Sequence, residues 1–300
     1  MHKFKTWISA ARLRTLPLSI SGILTGSVMA IETGNFNGTI FVLCLLATLG
    51  FQVLSNFAND YGDGVKGTDN EDRIGPTRAM QSGLLSAKEL RGGMIVMALF
   101  SLIVSIALIY VAFGSEMILY SLIFIVLGIL AIAAAIKYTV GNSAYGYRGL
   151  GDVFVFLFFG LVAVCGSNFL YEKQLYLYTF LPATTIGFLS AAVLNLNNMR
   201  DRLSDAKAGK ITLAVKLGEA SAKAYHAFLI LGALACVLIY FAVTGTWLYS
   251  VISILVFVPL IIHLKRVFKN DAPALLDPEL KKVALSTFFF SLLFLLGFLF

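Results

Sequence analysis

The chain has 300 residues, of which 59% are hydrophobic and only 13% charged, and its mean hydropathy is +0.87. That is too little polar side chain to cover a water-soluble domain, so the composition excludes one and leaves an integral membrane protein. The formal charge of +7 follows from membrane topology and attraction to anionic headgroups, and is no footprint of nucleic-acid binding.

Crossing about 30 Å of hydrocarbon takes roughly 20 residues of helix. In chain order the apolar runs predict nine spans, at 16–32, 39–58, 93–113, 117–136, 152–170, 177–197, 224–243, 246–263 and 283–300. The alternating pattern of a membrane barrel is absent, so a helical bundle is the way left to satisfy the backbone in lipid. The expected architecture is a single all-α domain over residues 1–300. Nine spans put segments 1–15, 59–92, 137–151, 198–223 and 264–282 on one side, and all 23 Lys and Arg except Lys173 fall in them. The positive-inside rule then predicts a cytoplasmic N-terminus and cytoplasmic acidic stretches, and the expected bundle surrounds a central cavity open to that side. Cys44, Cys165 and Cys236 lie inside apolar runs without CxxC spacing and read as packing residues. His2, His226 and His263 are scattered and suggest no metal site. Arg12, Arg14 and Pro17 lead into a span lacking a small-residue cleavage site, so no signal peptide is expected.

Two acidic stretches stand at the ends of greasy segments, Asn56-Phe-Ala-Asn59-Asp60-Tyr-Gly-Asp63 and Asn195-Leu-Asn197-Asn198-Met-Arg-Asp201-Arg-Leu-Ser-Asp205. Carboxylate and amide oxygens are what Mg²⁺ prefers, with waters and phosphate oxygens completing its shell. In the second stretch Asn197, Asp201 and Asp205 recur at i, i+4 and i+8, along one stripe of a helix. In the first, Asn59 and Asp63 keep that register, but Gly67 takes the third position. Asp60 and Asp69 flank the gap, and Asn56 with Asp60 offers a competing register. Shifting the chain by 138 residues lays Asn59 on Asn197 and Asp63 on Asp201, a weak internal repeat that predicts two facing half-sites.

The longest inner connection runs from Asn59 to Gly93. Its Gly62, Gly64, Gly67 and Gly75-Pro76 read as turns, and Ser86-Ala-Lys-Glu89 reads as a capping box opening the third span. Around the acids, Lys66, Arg73, Arg78, Lys207 and Lys210 are candidate ligands for an anion such as diphosphate. Lys137-Tyr138 closes the fourth span, and Tyr145-Gly-Tyr147-Arg148-Gly-Leu-Gly151-Asp152 opens the fifth. Tyr138 reads equally as an interfacial tyrosine and as an aromatic face for a cation formed nearby.

At these residues the chain resembles the UbiA superfamily of intramembrane prenyltransferases. The likeness is carried by Asn56-Phe-Ala-Asn-Asp-Tyr-Gly-Asp63, Lys66-Gly-Thr-Asp69, Asp72-Arg-Ile-Gly-Pro-Thr-Arg-Ala-Met-Gln-Ser-Gly83, Tyr145 to Gly160, Asn198-Met-Arg-Asp201 and Ala208 to Gly218. The Gly-Pro-x-Arg-Ala-Met-Gln-Ser-Gly and Tyr-Gly-Tyr-Arg-Gly-Leu-Gly blocks point to the dihydroxynaphthoate branch. The superfamily pattern has Asn-xxx-Asp-xxx-Asp twice, and Gly67 departs from it; Asn142-Ser143 departs from the Gly-Pro type of sequence expected in that branch.

The resemblance implies a Mg²⁺-dependent enzyme of the cytoplasmic membrane that joins a polyprenyl diphosphate to 1,4-dihydroxy-2-naphthoate with loss of CO₂ and diphosphate. The implied metal-facing set is Asp60, Asp63, Asp69, Asn197, Asp201 and Asp205. The implied substrate-binding set is Asn56, Asn59, Lys66, Arg73, Arg78, Lys137, Tyr145, Arg148, Asn197, Asn198, Lys207 and Lys210, with Tyr138 beside the reacting carbon. Transfer to 4-hydroxybenzoate and a cation-coupled transporter are the competing readings. The acids cluster at span ends instead of the midplane, which favours an enzyme.

Overall fold

The computed structural model describes residues 2–71 and 73–299. Asp72, the first residue of one motif block, and Phe300, the end of the last expected span, lie outside the described residues. Among the described residues the chain is helical without strands, and nine stretches are long and apolar enough to cross a membrane. The expected helical bundle is therefore present, and the span count holds.

Helix α1 (His2–Ala11) joins α2 (Leu16–Glu32) through a short turn, so the first span starts far earlier than residue 16. Helix α3 (Gly38–Val65) opens with Asn37, whose Oδ1 accepts from Thr39 N at 2.9 Å and Ile40 N at 3.2 Å. Such a cap satisfies donors that the first turn leaves free. Helix α4 (Ala87–Phe113) carries the expected capping box between Ser86 and Glu89. Helix α5 (Ile118–Lys137) exposes Leu119, Leu122, Val126 and Ile129, as a helix facing acyl chains should. Then come α6 (Gly151–Glu172), α7 (Phe180–Arg200), the short α8 (Arg202–Lys207), α9 (Leu213–Thr244), α10 (Phe257–Lys269) and α11 (Leu276–Gly297).

Among the described residues three apolar cores hold the bundle, one of them gathering Ile40 and Cys44 of α3, Leu108 and Phe113 of α4 and Leu170 of α6. A second gathers Ile186 and Leu196 of α7, Ile230 and Phe241 of α9, Leu260 of α10 and Phe290 and Phe294 of α11. The third packs Leu54 and Phe57 of α3 against Leu90 and Met94 of α4 and Ala10 of α1. His226 and His263, scattered in sequence, meet between α9 and α10 with Nε2 atoms 2.8 Å apart, and His263 Nδ1 lies 2.7 Å from Glu279 Oε2 of α11.

Two local expectations fail. Gly62 and Gly64 are not turns; they sit within α3. At Gly62 a Cβ would stand 2.5 Å from Thr139 Oγ1 and 2.8 Å from the Thr139 carbonyl carbon, so the missing side chain permits close packing. Gly62→Ala is expected to destabilise the protein by about 1–3 kcal/mol, because backbone must move to admit the methyl. A melting temperature in detergent equal to wild type would refute this. The second stretch is also not one continuous helix: α7 ends at Arg200, and Asp201 (φ −93°, ψ 7°) makes a joint before α8. The stripe nonetheless persists, since Asp201 N bonds to Asn197 O at 3.1 Å and Asp205 N to Asp201 O at 2.8 Å.

Candidate active site

The acidic stretch of α3 is helical to its end, and this decides between its two registers. Asp60 turns toward the following loop, where its carboxylate accepts Ala79 N and Met80 N, each at 3.2 Å. It anchors the loop that carries Arg73 and Arg78. Asn56 is an anchor too, donating to Ala11 O at 2.8 Å. Asn59 accepts from Thr139 Oγ1 at 3.3 Å and lines the large cavity described below.

Asp63 is the centre of the site. It is almost fully buried and accepts from Tyr147 Oη at 2.7 Å, with Arg78 Nη1 at 3.2 Å and Lys210 Nζ at 3.4 Å. Immediately after α3, Gly67 takes φ +71°. That left-handed residue reverses the chain, and Thr68 N and Asp69 N both return to Asp63 O, at 3.0 and 3.4 Å. Asp69 therefore folds back toward Asp63, so that a carboxylate stands near the position where Gly67 has none. Its oxygens lie 3.1 Å from Arg73 Nε and 3.2 Å from Arg78 Nε, yet neither makes a well-directed hydrogen bond. Burial pushes the Asp69 carboxyl above its ordinary range, although Arg78 pulls the other way.

The second stretch reaches the same point from α7 and α8. Lys210 bridges Asp63 to Asp205, at 3.7 Å from Asp205 Oδ1. Burial raises the Asp205 carboxyl to about 6 against the pull of Lys210. Asp201 is gripped on both oxygens by Arg200, at 2.7 and 2.9 Å, while Arg200 also reaches Asn197 Oδ1 at 2.8 Å and Asp277. The facing half-sites thus touch through Lys210 and Asp205, not through the Asp63 and Asp201 pair that the repeat aligns. Asn198 is buried on α7.

Several expected ligands are exposed, Lys137, Arg148 and Lys207 among them; Arg148 contributes a carbonyl to Lys216 Nζ at 2.6 Å. Lys66 stacks its ammonium over the Tyr147 ring, 3.8 Å from the centroid. Tyr147 and Arg200 touch the acids and escaped sequence reasoning, as did Arg12, which forms no ion pair with them. The signals for Tyr147 and Arg200 were their places within motif blocks that also carry acids.

Behind this polar cluster a cavity of about 350 Å³ runs between α2, α3, α4, α5 and α6. On α3 its lining extends from Asn59 back to Cys44, about 22 Å at 1.5 Å per residue. Small residues of α5, Gly128, Ala131, Ala134 and Ala135, leave the space, and Phe51, Phe124 and Phe158 wall it. Part of the α6 wall is π-helical, Phe156–Gly166. At the polar end Tyr138 meets Tyr145 edge to face at 5.3 Å, and Tyr145 stacks on Phe154 at 3.9 Å. Tyr145 is held in place by its hydroxyl, which donates to Ala134 O at 2.8 Å.

The model of the UbiA prenyltransferase family matches residues 19–299, which hold both the apolar cavity and the cluster of buried acids and guanidiniums. The chain belongs to the UbiA prenyltransferase family. It is 44% identical over 300 residues to the 1,4-dihydroxy-2-naphthoate octaprenyltransferase of Haemophilus influenzae, covering 99% of this chain and 97% of that one. With the Escherichia coli protein of the same name the identity is 40%, covering 99% and 96%. Among solved structures, a UbiA homologue from Aeropyrum pernix superposes with a TM-score of 0.69 at 15% identity, covering 94% and 95% of the two chains. A UbiA homologue from Archaeoglobus fulgidus, bound to DMAPP and Mg²⁺, gives 0.62 at 18% identity, covering 96% and 99%. These two share the fold. The chain is thus an integral membrane enzyme of the UbiA prenyltransferase family.

The donor set fits a hard cation. Its carboxylates are oxygen donors, and both oxygens of buried Asp69 have lone pairs unused by hydrogen bonds. Among the described residues no three acidic, His or Cys side chains are gathered closely enough to hold an ion by themselves. Arg73, Arg78, Arg200 and Lys210 stand between the acids instead.

Proposed function

We propose that this enzyme transfers a polyprenyl group from polyprenyl diphosphate to 1,4-dihydroxy-2-naphthoate, releasing CO₂ and diphosphate and forming demethylmenaquinol. The observation that carries this reading is the junction of a buried acid and guanidinium cluster with one end of a long apolar cavity. Relatives at 44% and 40% identity over nearly the whole chain, named for this naphthoate, support the acceptor. The one-sided placement of Lys and Arg supports an inner-membrane protein whose acidic end faces the cytoplasm.

Asp63, Asp69, Asp201 and Asp205 would hold Mg²⁺, with Asn59 and Asn197 at its margin. Bound Mg²⁺ neutralises diphosphate charge and so improves it as a leaving group. Arg73, Arg78 and Lys210 now pair with these carboxylates; in the loaded enzyme they turn to diphosphate oxygens, which Arg forks and a Lys point charge suit. Asp60 and Asn56 keep the loop and the α1–α2 turn in place. The cavity takes the prenyl tail and excludes water from the allylic carbon. Tyr138 and Tyr145 present ring faces where positive charge develops. The electron-rich naphthoate ring then attacks that carbon.

Mass spectrometry of the lipid product tests the reading. Purified protein, Mg²⁺ and one polyprenyl diphosphate are given dihydroxynaphthoate or 4-hydroxybenzoate in separate reactions. Product from dihydroxynaphthoate is expected; product from hydroxybenzoate alone would overturn the acceptor.

Asp205 adds a pH signature. A carboxyl titrating at about 6 is protonated below that pH and loses its capacity to bind a cation. The Mg²⁺ concentration for half-maximal rate should therefore rise about fourfold from pH 7.5 to pH 5.5, the inverse of the ionised fraction. A requirement flat over this range would remove Asp205 from the cation site.

A further inference from the structure

The turn between α1 and α2 is made by an arginine in a conformation that suits glycine. Arg12 has φ 48° and ψ 52°, and Lys173 is the other non-glycine residue with positive φ among those described. Such left-handed geometry is costly for a residue with a Cβ and persists only where surroundings hold it. Here Arg12 N donates to Ser9 O at 3.1 Å, and Arg12 O accepts from Thr15 N at 2.8 Å and Thr15 Oγ1 at 2.9 Å.

The consequence of the turn is where the guanidinium goes. The charged groups whose fields reach it are Arg78, Asp60, Arg73 and Asp69, none of them within ion-pair distance. Arg73, Arg78, Arg200 and Lys210 each have a carboxylate within ion-pair distance. Arg12 forms no ion pair among the described residues, and its Nη2 is buried without a hydrogen-bond partner. Of the two acids that act on it, Asp60 gives both oxygens to Ala79 N and Met80 N, and Asp69 is paired with Arg73 and Arg78. A half-buried guanidinium with a buried, unpartnered nitrogen can receive an anion. The residues flanking it are tied to the cavity: Ala11 O accepts from Asn56 Nδ2, and Thr15 Oγ1 accepts from Gln52 Nε2 at 3.1 Å, and both Asn56 and Gln52 line the cavity.

We propose that Arg12 binds the carboxylate of the aromatic acceptor and thereby sets which face of the ring meets the prenyl carbon; this rests on the function proposed above. The anion has two sources, since diphosphate also carries oxygens that a guanidinium can fork. The acceptor carboxylate is favoured because the diphosphate already has Arg73, Arg78 and Lys210 on the Asp63 side. Arg12 instead sits on the α1–α2 turn, braced against the polar end of the cavity.

The test compares wild type with Arg12→Gly and Arg12→Lys. Glycine adopts φ 48° freely, so the first variant removes the guanidinium while relieving the backbone. Its KM for dihydroxynaphthoate is expected to rise about tenfold or more, the effect of losing a charged hydrogen bond. Its KM for polyprenyl diphosphate should stay within about twofold, as should its KM for 1,4-dihydroxynaphthalene, which lacks the carboxylate. Lysine keeps the charge without the fork and should give an intermediate rise, which decides the matter should the glycine variant fail to fold. A parallel rise in the prenyl diphosphate KM would assign Arg12 to diphosphate and overturn the proposal, as would an unchanged naphthoate KM. Wild-type turnover with 4-hydroxybenzoate alone would sink the naphthoate reading, leaving Arg12 to be judged by the same KM comparison on that acid. Turnover with neither acid would sink both.

Discussion

Asp63→Asn should lose prenyl transfer by about a thousandfold or more while remaining folded in the membrane. Asparagine fills the same space and can still accept the Tyr147 hydroxyl, which now donates to Asp63 at 2.7 Å. What disappears is the charge facing Arg78 and Lys210, and with it an oxygen anion for a divalent cation. Asp201→Asn is expected to fail in the same way, with Arg200 still held by Asn197 and Asp277. Asp60 is the informative contrast. Because both its oxygens receive backbone N–H groups, Asp60→Asn should lower the melting temperature first and slow turnover through the displaced loop. Turnover and thermal melting measured on the three variants check this. Wild-type rates in Asp63→Asn would remove that residue from the chemistry and, with it, the account of the site given above.

The second large effect concerns the tail. Ala131 stands on the cavity face of α5, among the small residues that leave the space open. Ala131→Phe should place a ring across the path without touching the polar cluster. Transfer from a long polyprenyl diphosphate is expected to fall by about a hundredfold, because a packed cavity cannot admit the chain without strain. Transfer from dimethylallyl diphosphate, which needs only the polar end, should change by less than about threefold. The ratio of the two rates is the measurement. An equal loss with both donors would mean that the cavity does not hold the tail.

Much of this was legible in one dimension. The nine spans, the one-sided cations and the two acidic stretches are statements about composition and spacing, and lipid allows few backbone solutions to such a pattern. Legibility failed where the answer depended on which side chains meet. Spacing allowed Asp60, Asp63 and Asp69 alike. The register was decided by α3 staying helical through Val65 and by Gly67 turning the chain so that Asp69 returns toward Asp63. Gly62 and Gly64 looked like turn residues because sequence does not record the neighbour that a missing Cβ admits. Lys137, Arg148 and Lys207 cannot be told by sequence from Arg73, Arg78 and Lys210, because cations gather on that membrane face for topological reasons and only burial separates the two groups.

By itself the sequence determined that this is a helical membrane protein, and that both its acidic stretches lie at the charged ends of its spans. Hydrophobic length and charge asymmetry act locally along the chain, so their outcome is written there. Only the tertiary structure decided that Arg78 and Lys210 link Asp63 to Asp69 and Asp205 while Asp60 serves the loop, and that Arg12 keeps a buried nitrogen without a counter-anion. Those assignments come from contacts between α1, α3, α7 and α8 and the loops joining them, far apart in sequence and brought together only when the bundle packs.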